Sequence, residues 1–254
     1  MNICVDVGNS TIVIAAYKNN VLVGRALLLT DTNLTYEQLS SLLRHCLRES
    51  IPQDDVRNII YSSVVPQIDQ NLITILRDFF ELEPMILNSH TKTDLAVDVD
   101  NPLEIGNDLI ADLVAAKEKY GYPCLIADLG TASKILLLNK EGTFTSCLIM
   151  PGLTMSAASL TDKAALLPHV SLDAPSSILA KNTMNAMNAG IVYGHVDMII
   201  GLINRYEKAL GYQCKRILTG GGAIHVKDLI GDDFIYDRDL NTDGLNIIIN
   251  KNNK

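Results

Sequence analysis

A six-residue stretch near the start of the chain, Asp6-Val7-Gly8-Asn9-Ser10-Thr11, comes back in altered form as Asp128-Leu129-Gly130-Thr131-Ala132-Ser133. Each copy follows a short apolar run, Ile3-Cys4-Val5 or Leu125-Ile126-Ala127, of the kind that makes a buried strand. After the first copy the chain turns at Lys18-Asn19-Asn20 into Val21-Leu22-Val23. After the second it passes Ile135-Leu136-Leu137-Leu138 and turns at Asn139-Lys140-Glu141-Gly142. Both read as hairpins. Without a gap, Asp6 falls on Asp128, Gly8 on Gly130, Thr11 on Ser133 and Lys18 on Lys140. Internal self-similarity constrains a fold more than a lone motif does, because it calls for two copies of one supersecondary plan. The expected division is into 1–119 and 120–254.

The repeated unit carries legible chemistry. A carboxylate at a strand end can hold a hydrated Mg²⁺ or another cation. The glycine two residues on lets backbone approach a ligand, and the small hydroxyl residues present N–H and O–H donors to phosphate oxygens. Two such loops facing across a cleft would hold a nucleoside triphosphate from both sides. A single D-x-G-[NT] segment is equally a common hairpin turn. The two copies in register, each flanked by strands, favour the ligand site.

Composition narrows the class. Hydrophobic residues are 48% and charged residues 20% of 254, as in a soluble globular chain, and there is no Trp. The formal charge of −8 argues against a nucleic-acid surface, which needs a basic stripe. No run approaches the ~18 apolar residues of a membrane span, and the N-terminus reads as a strand rather than a signal peptide. Cys4, Cys46, Cys124, Cys147 and Cys214 form no C-x-x-C pair and sit mostly in apolar runs. Free thiols in a reducing cytoplasm are therefore expected. The five histidines show no ligand spacing.

Between and after the hairpins, strands alternate with helices, which indicates an α/β architecture with a partly parallel sheet. A helix is expected from about Leu34 to Glu49 with Leu39, Leu42, Leu43 and Leu47 on one face. A strand at 58–65 is stopped by Pro66, and a second amphipathic helix covers 69–80, followed by a strand at 84–87. The polar, bent segment Asn101 to Asp108 opens a helix from Leu109 to Tyr120. Asp108 falls in its first turn, where the helix dipole favours a carboxylate; it reads as a cap or as a general base. Pro151-Gly152-Leu153 opens a helix at 154–161. Asn182 begins a long helix to about Leu210 that carries Gly190, Gly194 and Gly201, suited to close backbone contact. Ile217-Leu218-Thr219 runs into Gly220-Gly221-Gly222, which matches neither the Walker A nor the G-x-G-x-x-G pattern. Asn250 to Lys254 reads as a polar tail.

The ordered set D-V-G-N-S-T at 6–11, N-P-x-E-I-G-x-D at 101–108, D-L-G-T-A at 128–132, P-G-L at 151–153, N-T at 182–183 and T-G-G at 219–221 resembles the type III pantothenate kinases. Asp239-Leu240 with Gly244-Leu245 fits the same family's closing pattern, so the resemblance spans essentially the whole chain. It implies duplicated ribonuclease-H-like domains with mixed sheets flanked by helices and a cleft between them, in the acetate kinase, sugar kinase, Hsp70 and actin superfamily. It implies phosphorylation of pantothenate to 4′-phosphopantothenate, the first step of coenzyme A biosynthesis, by a cytoplasmic homodimer. The cofactors it implies are ATP with Mg²⁺ and a monovalent cation, K⁺ or NH₄⁺. By position, Asp6, Val7, Gly8, Asn9, Ser10, Thr11, Ile12 and Val13 resemble the ATP phosphate loop, and Thr131 an ATP contact. Val99, Gly106, Asn107, Asp108, Leu109 and Thr183 fall on substrate positions, Asp108 on the general base and Asp128 on the monovalent-cation ligand.

Three departures lie on or near the implied acceptor pocket. Leu109 stands where the family has Arg, Val99 where a Tyr is usual with Asp98 before it in place of a basic residue, and Ser146-Cys147 where Gly-Gly is usual. Losing a planar cation removes a partner for a substrate carboxylate, worth ~1.5–3 kcal/mol as a charged hydrogen bond. Two alternatives follow: a kinase for another small acceptor, or a catalytically weak or silent relative with a regulatory role.

Overall fold

The computed structural model describes residues 1–163 and 171–253. It falls into two compact units, one of Met1–Leu95, Asp100–Glu118 and Asp239–Lys254, the other of Ala96–Val99 and Lys119–Arg238. The expected cut at 119/120 differs from this division in two exchanges: Ala96–Val99 and Lys119 join the second unit, and the C-terminal segment joins the first.

The first unit contains β1 (Asn2–Val7), β2 (Thr11–Lys18), β3 (Val21–Leu29), α1 (Tyr36–Ser50), β4 (Asn58–Ser63), α2 (Pro66–Phe80) and β5 (Met85–Ile86). Its sheet order is β3-β2-β1-β4-β5, antiparallel through the hairpins and parallel at β1/β4 and β4/β5. Thr35 opens α1 with a capping box, its Oγ1 accepting from Gln38 N and Gln38 Oε1 accepting from Thr35 N. Leu39, Leu43 and Leu47 are buried, but Leu42, expected on the same face, is 50% exposed at the rim of the stripe. Helix α2 starts at Pro66 rather than at Asp69. The residue that ends the strand suits the first helical position, whose N–H has no intrahelical acceptor.

Period-two alternation assigns the two faces of this sheet. Ile3, Val5 and Val7 pack with Leu39, Leu43, Ile68 and Leu72 of α1 and α2. Cys4, Ala15, Tyr17 and Ile60 point the other way, onto α3 (Asn107–Tyr120) and α6 (Leu240–Asn252), through Ala111, Val114, Leu245 and Ile248. Helix α6 includes most of the expected polar tail. Asn250 accepts from Asn2 Nδ2 at 2.9 Å and donates to Asn20 Oδ1 at 2.9 Å, so its amide has partners that a local reading cannot supply. At Gly244 the two helices touch backbone to backbone, since a Cβ there would overlap the Ala111 carbonyl.

The second unit contains β6 (Ala96–Val97), β7 (Cys124–Leu129), β8 (Ala132–Leu138), β9 (Thr143–Pro151), α4 (Leu153–Lys163), α5 (Thr183–Leu210), β10 (Lys215–Thr219) and β11 (Phe234–Tyr236). Its order is β11-β10-β7-β8-β9-β6. Setting aside β6, to which the sequence assigned no element, the order β9-β8-β7-β10-β11 repeats the first sheet strand for strand and in the same pairing senses. The duplication read from two loops therefore extends to the topology.

Helix α5 is long and apolar enough, by length and composition, to cross a membrane, contrary to the expectation that no stretch would be. Its Ile191, Val192, Val196, Ile199 and Ile203 pack in the core with Leu125, Ala127 and Leu129 of β7. Among the described residues, a Cβ at Gly190, Gly194 or Gly201 would meet nothing within 4 Å, so packing among those residues does not require glycine there.

Candidate active site

In the first hairpin Asp6 shares the sheet face of Cys4, the one covered by α3 and α6. Its pairing partners are Val13 on β2 and Ser62 on β4, and Ser62 Oγ donates to Asp6 Oδ1 at 3.1 Å. The turn Gly8-Asn9-Ser10 is closed by Gly8 N donating to Thr11 O at 2.9 Å. Thr30, just past β3, braces it: its Oγ1 donates to Gly8 O at 2.7 Å and its N donates to Ser10 O at 3.0 Å. Asn9 and Ser10 are exposed, whereas the side chains of Val7 and Ile12 lie in the core. Of the expected phosphate loop, positions 8 to 11 form the accessible turn. Val7 and Ile12 can offer a ligand only backbone.

Asp108 is in the first unit as well, at the second residue of α3, the helix packed on the face from which Asp6 projects. The helix start is fixed on both sides. Gly106 O accepts from Leu109 N at 3.1 Å and Ile110 N at 3.2 Å, and Asn107 Nδ2 donates to Leu87 O at 3.0 Å. Asn241 Nδ2 of α6 donates to Asp108 O at 3.1 Å. A Cβ on Gly106 would collide with Asp108 Oδ1, so glycine there leaves room for the carboxylate. Because α3 begins at Asn107, Asp108 lies inside the helix and its favourable interaction with the helix end is through the dipole. Leu109 is 8% exposed, buried rather than presented to a ligand.

In the second unit Asp128 ends β7 and pairs with Thr219 of β10 on one side and Lys134 of β8 on the other. Lys134 Nζ donates to Asp128 Oδ2 at 2.9 Å, with the two side chains only 17% and 12% exposed. The loop Gly130-Thr131 is held by two other turns. Gly152 N donates to Thr131 O at 3.1 Å, and its Cα lies so near the Gly130 and Thr131 carbonyls that no Cβ could be added. Gly220, at φ +87°, would place a Cβ 2.5 Å from Asp128 Oδ1 and 2.6 Å from Leu129 N. The glycine-rich turn is thus a wall of the Asp128 site, and it needs glycine both for close approach and for the left-handed backbone. Behind the loop, Ser133 Oγ is 2.8 Å from His195 Nε2, both buried, and burial lowers the His195 pKa.

The two loops differ by one residue. Asp6 faces Val13, whereas Asp128 faces Lys134, so a gapless overlay of the copies is out of step beyond the turn. Sequence reading missed Ser62, Lys134 and Gly220 as parts of these sites. Lys134 had a signal, since it stands six residues from Asp128 across a tight hairpin, where opposite charges face each other. Val99 is half-buried between β6 and the 3₁₀ turn Pro102–Glu104. Thr183 is exposed at the start of α5, whose cap is Asn182 Oδ1 accepting from Asn185 N at 2.9 Å. All five cysteines are free; burial pushes the Cys124 thiol up to about 12 and Cys214 to about 11, which leaves them protonated and unreactive.

The family described as type III pantothenate kinase matches residues 2–205. A type III pantothenate kinase of Agathobacter rectalis is 33% identical over 256 residues, covering 100% of this chain and 98% of the relative. That of Citrifermentans bemidjiense is 36% identical over 257 residues, covering 99% and 100%. Among solved structures, (R)-2-hydroxyglutaryl-CoA dehydratase component A of Acidaminococcus fermentans superposes with a TM-score of 0.54 at 14% identity, covering 96% and 94%. That likeness concerns the fold alone: two ribonuclease-H-like halves, each a mixed sheet flanked by helices. With matches of this length and identity, the chain belongs to the type III pantothenate kinase family.

Proposed function

We propose that this chain transfers the γ-phosphoryl group of ATP to the 4′-hydroxyl of pantothenate, the first step of coenzyme A biosynthesis. The observation that carries the reading is likeness to pantothenate kinases from end to end of the chain. In the transfer, an O–P bond forms between the acceptor oxygen and the γ-phosphorus while the bond to the β-bridging oxygen breaks, releasing ADP. Asp108 takes the acceptor's proton. The turn at 8–11 supplies donors to phosphate oxygens, and Thr131 contacts the nucleotide. Phosphoryl transfer asks mainly for positioning and charge neutralisation, and such a set serves both.

Mg²⁺ fits the first loop. Asp6 offers a carboxylate at a strand end beside the Ser62 hydroxyl, and Mg²⁺ bound with a nucleotide needs one or two carboxylates besides phosphates and water. When bound, it neutralises charge on the transferring phosphate. Val99, Gly106, Asn107 and Thr183 would border the acceptor, with Leu109 beside them through its backbone alone. Leu109 presents no cation and is buried, which favours a second reading, an acceptor without pantothenate's carboxylate. A coupled ADP-release assay decides between them. Turnover with pantothenate supports the first, and turnover only with uncharged analogues such as pantothenyl alcohol supports the second.

The exposed Gly190 and Gly194 on α5, with exposed Met184 on the same helix, suit the proposed homodimer. Sedimentation equilibrium should give twice the chain mass at micromolar concentration, and a monomer there would reject it. The free, high-pKa thiols agree with a cytoplasmic location.

A further inference from the structure

The monovalent cation implied at Asp128 does not fit the residues present. Asp128 Oδ2 already accepts from the Lys134 ammonium at 2.9 Å, and Oδ1 lies against the Gly220 backbone, where a Cβ would stand 2.5 Å away. The carboxylate is largely enclosed, and a second cation at the same oxygens would be repelled by the first. Nor do the described residues bring together three or more His, Cys, Asp or Glu side chains as an alternative cation site. The register explains how the ammonium gets there. On the duplicated plan, the position opposite the strand-end aspartate is apolar Val13 in the first unit and Lys134 in the second, on the same sheet face as the carboxylate. The first aspartate thus keeps a neutral neighbour, while the second carries a tethered cation.

We propose that the Lys134 ammonium is a built-in replacement for the monovalent cation at Asp128, so that nucleotide binding and turnover here do not depend on added K⁺ or NH₄⁺. A lysine head group is a compact, strongly hydrated point charge, the same chemical species as NH₄⁺ on a stem. Supplied by the neighbouring strand, it is present at every ionic composition. The inference rests on the kinase reading above.

The test is calorimetric binding of ADP and Mg²⁺ in choline chloride, then in KCl and NH₄Cl at the same ionic strength, with ADP-release turnover alongside. The wild-type protein should bind and turn over equally in all three salts. Lys134→Met should lose affinity in choline by about 10- to 100-fold, the scale of one charge-assisted hydrogen bond, and recover it in KCl or NH₄Cl. Saturable activation of the wild type by K⁺ overturns the proposal, as does a Lys134→Met protein that folds by circular dichroism yet is indifferent to the salt. Should the variant not fold, the wild-type salt series decides the matter by itself. Absence of nucleotide binding in every salt removes the kinase reading, and the inference falls with it.

Discussion

Replacing Asp108 by Asn separates a proton acceptor from a structural carboxylate. The substitution keeps the size of the side chain and its place at the second residue of α3, beside the space left by Gly106. It removes the negative charge and the basic oxygen. A carboxylate in the first turn interacts with the helix dipole for about 0.3–1 kcal/mol. For a chain of this size that corresponds to a fall in melting temperature of no more than about 4 °C. The bonds that fix the helix start come from Gly106, Asn107 and the Asp108 backbone carbonyl, and they are retained. A positioned general base contributes about 10²–10⁴-fold, or about 2.7–5.4 kcal/mol of barrier. The two roles therefore differ by enough to be told apart. The expected outcome is a fall in kcat of at least about 100-fold with ADP affinity unchanged, measured by ADP release and calorimetry on the same preparation. An Asp108→Asn protein that keeps more than about a tenth of wild-type kcat would refute the base assignment.

Two further outcomes test the surroundings of the sites. Gly244→Ala forces a methyl group into the Ala111 carbonyl, and overpacking of this kind costs about 1–3 kcal/mol, so the melting temperature should drop by several degrees in differential scanning calorimetry. An unchanged melting point would mean that α3 and α6 are not in backbone contact. His195 is buried with its pKa lowered from 6.5. The unfolded chain then binds its proton first, so stability is full above pH 6.5 and declines as the pH falls below it toward the folded-state pKa. His195→Gln should flatten the slope of denaturation midpoint against pH below 6.5, and an unaltered slope would assign it to other groups.

Much of the plan was readable locally. Strand alternation at Ile3, Val5 and Val7 against Cys4 and Asp6 depends only on the period of two, so the strand-end carboxylates and their loops could be placed without coordinates. The register of the two D-x-G segments carried the duplication, and the sheets repeat it strand for strand. The family likeness came from motifs in order along the chain, which need no folding to be seen. Other features required partners distant in sequence. The tail Asn250 is helical because α6 packs beside α3 and its amide meets Asn2 and Asn20. Gly244 needs to be glycine because Ala111 lies against it. Leu109, adjacent to the carboxylate expected to act, is turned into the packing, which no nearest-neighbour pattern states. The one-residue difference between the loops decided that Asp6 meets Val13 and Asp128 meets Lys134. A shift of one residue on a strand reverses which face every later side chain occupies. Local sequence thus determined which residues could form the sites, and tertiary register determined which charges stand next to them.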